Sequence, residues 1–230
     1  MKKFKLSLII AMLGIVSLVS AQSASLNVKG GLNMSSFYGN NLSGKDVKPG
    51  YHAGIALDLE FADDISLQTG LYFTSKGAEY SHFEPQTEDK AANGFDGYVE
   101  YSVSANYIHL PLHLAYKMDV TPSTRVFFHA GPYFAYGVSG KRNYIKGWEK
   151  GNYTEVLGPE NANTFSDEGG FKPFDMGLGL GVGAEFGVIV IDLGWDMGFK
   201  NISKMNRGIA KINKEKIKNQ STYLSIGYKF

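Results

Sequence analysis

Phe174-Asp175-Met176-Gly177-Leu178-Gly179-Leu180-Gly181-Val182-Gly183-Ala184-Glu185-Phe186 decides the fold. Every second residue, from Phe174 through Met176, Leu178, Leu180, Val182 and Ala184 to Phe186, is apolar, while the intervening row is four glycines bounded by Asp175 and Glu185. A period of two places these rows on opposite faces of a strand. After Gly187-Val188 the pattern resumes, with Ile189, Ile191, Leu193, Trp195, Met197 and Phe199 against Val190, Asp192, Gly194, Asp196, Gly198 and Lys200. A solvated sheet face would carry Thr, Lys and Glu rather than glycine, which weakens strands. A greasy outer face around a polar, small-residue interior is the requirement of a transmembrane β-barrel.

Working outward, eight such segments are legible. The first, near 25–36, sets Leu26, Val28, Leu32 and Met34 against Asn27, Lys29, Gly31 and Asn33. The second, near 50–61, ends in the turn Ala62-Asp63-Asp64, and the third runs near 65–80. The fourth presents Ile108, Leu110, Leu112, Leu114, Tyr116 and Met118 outward, and the fifth lies near 125–138 after a turn containing Pro122. The sixth and seventh are quoted above, and the eighth ends at Phe230. Short turns follow segments two, four and six, and longer loops, including 82–97, 139–171 and 201–220, lie at the other end. Outer-membrane barrels have that asymmetry. The expected fold is therefore all-β: an eight-stranded antiparallel up-and-down transmembrane barrel with both termini on the periplasmic side.

The N-terminus agrees with export. Lys2, Lys3 and Lys5 precede an apolar run, Leu6 to Val19, closed by the small residues Ser20 and Ala21. This reads as a signal peptide over 1–21, leaving 22–230 as one barrel domain. Removing it takes the formal charge from +1 to −2, so no basic bias points to nucleic acid. No later apolar run is long enough to span a bilayer as a helix. With no cysteine, disulfides, a lipidated cysteine and thiolate metal sites are excluded. The 28 glycines and 14 tyrosines suit tight interiors and interfacial girdles.

A set of short motifs carries a family resemblance: Pro49-Gly50-Tyr51-His52-Ala53-Gly54, Leu71-Tyr72-Phe73-Thr74-Ser75-Lys76-Gly77, Tyr107-Ile108-His109-Leu110-Pro111-Leu112, Ala130-Gly131-Pro132-Tyr133 and the terminal Phe230. Together they resemble the PorT-like family of small outer-membrane β-barrel proteins, similar in build to the OmpA and OmpX type. The resemblance implies location in the bacterial outer membrane and insertion by the barrel-assembly machinery, with the strand ending in Phe230 as its signal. It implies no single activity. No peptidoglycan-binding domain of the OmpA kind is expected after the last strand.

Three constellations bear on chemistry. His109, His113 and His129 fall on inward rows, and pairing Leu114 with Ala130 sets His113 diagonal to His129. Three imidazoles suit a divalent metal, yet residues four apart on a strand are separated by about 13 Å, so His109 stays apart and lumen filling is expected. The inward charges Lys29, Asp58, Glu60, Lys117, Glu185, Asp192 and Lys229 are expected near the turn end as a paired structural plug. Ser35, Ser36, Ser102 and Ser104 offer hydroxyls, but no motif sets one of them beside a histidine. Accordingly no catalytic, cofactor-binding or metal-binding residue is assigned, and no cofactor is expected.

The loops are the expected seat of specificity. Loop 201–220 carries Lys204, Arg207, Lys211, Lys214, Lys216 and Lys218 against Glu215, a net of +5, whereas loop 82–97 is at −3. Trp148 and Tyr153 stand among charges in the longest loop. The expected role is structural, surface-interacting or accessory to an envelope complex, without a general pore and without enzyme activity. The alternatives are an outer-membrane lipid-modifying enzyme and a narrow ion or proton channel. Expected partners are outer-membrane lipid and lipopolysaccharide, the insertion machinery during assembly, and an envelope protein bound through the long loops, with the barrel a monomer.

Overall fold

A computed structural model describes residues 23–39, 45–84, 97–148, 153–155, 162–166, 170–204 and 216–230. The expected signal peptide, 1–21, lies outside the described residues. Eight long strands build the wall: β1 Ser23–Gly39, β2 Lys45–Ala62, β3 Ile65–Glu84, β4 Gly97–Thr121, β5 Thr124–Trp148, then β8 Phe174–Phe186, β9 Ile189–Gly198 and β10 Ile217–Lys229. Two short pieces, β6 Tyr153–Glu155 and β7 Ala162–Asn163, pair with the upper part of β5. All pairings are antiparallel, each long strand pairs with its sequence neighbour, and β1 pairs with β10 from Asn27↔Lys229 to Gly39↔Ile217. The wall is closed, so no strand edge is left to lipid.

The two faces fall as the alternation requires. Leu32, Met34 and Ile226 are 73%, 64% and 61% exposed on the outside, while Asn33, Lys29 and Ser225 behind them are buried. Phe61, Tyr116, Phe186, Tyr228 and Phe230 ring the turn end, and Tyr51, Phe73, Tyr136 and Phe199 ring the other. From Phe61 to Tyr51 is ten residues of strand. At ~3.3 Å per residue and ~40° tilt the two girdles stand about 25 Å apart, the height of the apolar band of an outer-membrane barrel.

All three short turns have two residues, Asp63-Asp64, Pro122-Ser123 and Gly187-Val188, so the last is no tighter than the others, and in it Gly187 takes φ +60°. A Cβ there would meet nothing within 4 Å, so glycine is required by the left-handed backbone alone.

The strands run further than the alternation suggests. Much of the expected loop 139–171 is strand, because β5 continues to Trp148, β4 starts at Gly97 and the two pair along their length. β10 likewise takes 217–220 from the expected basic loop. Above the bilayer neither face has to be apolar, so the hydrophobic signal stops where the hydrogen-bond ladder does not. An extra residue, Val138, accompanies this change: the register passes from Tyr107↔Gly137 to Asn106↔Ser139. The bulge exchanges the rows, so that Gly137 and then Gly140 face inward.

Candidate functional site: the barrel lumen and its outer rim

Glycines in β8 and β9 are seats for large inward side chains from neighbouring strands, three of them from the directly paired position. A Cβ on Gly183 would lie 2.2 Å from Phe127 Cζ, on Gly181 2.4 Å from His129 Nε2, on Gly179 2.7 Å from His113 Nε2 and on Gly194 2.3 Å from the Tyr223 ring. The small row found in the sequence is thus the complement of the bulky row of β4, β5 and β10.

At the periplasmic floor Lys117 Nζ lies 2.7 Å from Asp58, 2.8 Å from Glu60 and 3.1 Å from Glu185. Lys229 closes on Glu185 at 2.8 Å, and Arg125 bridges Glu60 and Asp119, both at 2.8 Å. Five of the seven expected inward charges meet here. Lys29 and Asp192 do not join them; they pair at 3.4 Å one layer up, because Asp192 lies two residues above the Glu185 level and is also held by His129 Nε2 at 2.9 Å.

In the middle of the lumen His113 Nδ1 and His129 Nδ1 are 2.8 Å apart with stacked rings. The Leu114↔Ala130 pairing is present. His109 stands apart from that pair, edge-on to Tyr133 and 3.8 Å from Asp196. Among the described residues no group of three His, Asp or Glu side chains is arranged to hold a metal ion. Lys76 pairs with Asp196 at 3.0 Å, and Asn219 and Tyr133 hold Asp175. These three charges, absent from the expected plug, form an upper polar layer; the alternation marks them as inward but does not supply their partners.

The structure also places a serine beside a histidine, Ser225, outside the four that the sequence singles out. His52 Nε2 lies 2.7 Å from Ser225 Oγ. His52 and Ser225 both pair with Gly31, on opposite sides of β1, and the absence of a side chain there lets the imidazole reach across. Ser35, Ser36 and Ser102 instead serve the wall: Ser35 Oγ receives the Gly77 amide, Ser36 donates to the Phe37 carbonyl, and Ser102 receives Lys48. The Ser104 carbonyl receives Thr164.

Over the upper layer lies an apolar cap of Phe37, Ala78, Val103, Phe171, Ile202 and Ile217, with Phe165 against it. Phe171 and Ile202 come from segments the sequence reads as loop. Below the cap, among the described residues, Lys29, His52, Tyr72, Lys76, His113 and Tyr223 line a cavity of about 60 Å³. That is room for a few water molecules. The central parts of the acidic and basic loops, 85–96 and 205–215, lie outside the described residues, as do 149–152.

A closed antiparallel wall, an apolar outer band between two aromatic girdles and a packed polar lumen define a transmembrane barrel of the outer-membrane class. The model of the family described as "Outer membrane protein beta-barrel domain" matches residues 20–204, and the chain belongs to that family of the bacterial outer membrane. Solved structures similar to it include OprG from Pseudomonas aeruginosa, at 14% identity over 91% of this chain and 97% of that one, with a TM-score of 0.45. Neisserial surface protein A is 10% identical over 91% and 100%, at 0.41. Ail of Yersinia pestis, in complex with the heparin analogue sucrose octasulfate, is 13% identical over 91% and 100%, at 0.38. No curated protein matches the sequence.

Proposed function

We propose that this protein is a non-conducting outer-membrane barrel that acts through its extracellular face, in a structural, surface-interaction or envelope-complex accessory role of the PorT-like kind. The observation that carries this reading is the filled lumen. Eight strands enclose a width that side chains fill, and here the floor is closed by the Lys117 cluster and the mouth by the Phe171 cap. Among the described residues the His52–Ser225 pair lies between the floor and the cap, turned away from lipid, and this reading assigns it no enzyme activity. The barrel works as a single chain, is inserted by the assembly machinery through its C-terminal strand, and presents the tall β3–β5 wall to an envelope partner.

Planar bilayer recording of the reconstituted protein tests the closed lumen. Baseline current is expected, and steady conductance would refute it. Gentle-detergent purification with mass spectrometry tests the accessory role, for which a stoichiometric envelope protein is expected; isolation alone would favour a stand-alone barrel.

A further inference from the structure

The rim of the barrel is uneven: β4 and β5 run for 25 residues each, whereas β8, β9 and β10 have 13, 10 and 13. Along the low side the cations gather. β9 ends at Gly198, and Lys200, which the alternation assigns to the inward row, leaves it at a bend and sets its Nζ 4.1 Å from the centre of the Phe174 ring. Phe174 tops the outward row of β8 and pairs with Tyr136 of the upper girdle, while the amide of the exposed Phe199 bonds the Met176 carbonyl.

Three more lysines share this arc. The amide of Lys172 bonds the Ile202 carbonyl at 2.7 Å, beside the Phe171↔Ser203 bridge, which holds it next to the segment carrying Lys200. The amide of Ile202 in turn bonds the Ile217 carbonyl at 2.9 Å, bringing in the exposed Lys216 and the half-buried Lys218, the latter 5.4 Å from the Tyr38 ring. On the tall side Lys48 is neutralised by Glu79 at 2.9 Å. No carboxylate of the described residues pairs with Lys172, Lys200, Lys216 or Lys218.

We infer that this arc binds the phosphate groups of outer-leaflet glycolipid, the phosphates of lipid A. Its height decides the partner: the Lys200 ammonium lies against Phe174 at the upper aromatic girdle and the backbone bonds set the other three lysines on the same rim, where lysine stems cover apolar surface and heads reach the headgroup layer. Lysine beside an aromatic face keeps its cation–π contact while pairing with an anion. A protein partner would more readily meet the tall β3–β5 wall. The inference rests on the reading of the chain as an outer-membrane surface barrel and deepens it by naming a lipid class.

The test measures retention of bisphosphorylated lipid A by the purified protein from mixed micelles, with native mass spectrometry counting bound lipid. Variants whose folded band persists on unheated gels are used. The parent should retain lipid A, and retention should fall with added salt. Lys172→Gln, Lys200→Gln, Lys216→Gln and Lys218→Gln combined should weaken it by about tenfold or more, since each lysine near an anionic surface contributes appreciably. Lys141→Gln on the tall side should change nothing. Equal retention by the fourfold variant, equal retention of dephosphorylated lipid A, or full competition by inorganic phosphate would each overturn the proposal, the last by revealing a free-anion site. The salt dependence of the parent requires no variant. Failure here leaves the bilayer conductance result untouched, so the two readings fall separately.

Discussion

Gly181→Ala tests the seating of the bulky lumen row. The added Cβ would lie 2.4 Å from His129 Nε2, 2.7 Å from its Cε1 and 2.7 Å from the Leu193 carbonyl. Reaching ordinary contact requires the ring to retreat by about 1 Å. It is pinned on both nitrogens, by His113 at 2.8 Å and by Asp192 at 2.9 Å. Overpacking costs ~1–3 kcal/mol, a stretched buried bond to a charged group ~1.5–3 kcal/mol, and replacing a glycine in a strand returns ~0.5–1 kcal/mol. The net expectation is a loss of about 2–5 kcal/mol. His129→Ala removes the ring but not the Leu193 carbonyl, so a double-mutant cycle isolates the ring's share, expected at about 1–3 kcal/mol of coupling. Urea unfolding in phospholipid vesicles, followed by the fluorescence of the two tryptophans, measures both quantities. An unchanged midpoint for Gly181→Ala, or strict additivity with His129→Ala, would refute the seating argument.

Lys117→Met leaves Asp58, Glu60 and Glu185 facing one another, and the same unfolding assay should show a loss of about 3–5 kcal/mol, the cost of breaking a buried ionic cluster. Arginine at Leu180 or Leu193, both on the lipid face, should cost about 2–4 kcal/mol near the midplane, and tolerance of both would reverse the assigned face. Phe230 is 71% exposed, packs on Tyr228 and bonds the Leu26 carbonyl through its amide; deleting it should lower outer-membrane protein on fractionation, while Phe230→Tyr accumulates normally. Equal accumulation of the deletion and the parent would show that the last strand is not the insertion signal.

Alternation alone determined which residues of β1 to β5 and β8 to β10 face lipid, the position of the three short turns and the closure of the barrel. The faces follow from the pleat, which couples a residue's side to its neighbours one and two positions away, and closure follows from the cost of an unpaired strand edge in lipid. The tertiary structure decided which inward groups meet. Lys29 and Asp192 are 163 residues apart and Lys76 and Asp196 are 120 apart, and their contacts depend on how all eight strands are staggered. His52 reaches Ser225 because β1 carries Gly31 between them, a fact of register. Where the amphipathic constraint ends, so does the sequence signal. The upper β4–β5 hairpin, the bulge at Val138, the departure of Lys200 from its row and the cap of Phe171 and Ile202 all lie at or above the outer girdle, where backbone pairing and packing of connecting segments replace the lipid as the organising force.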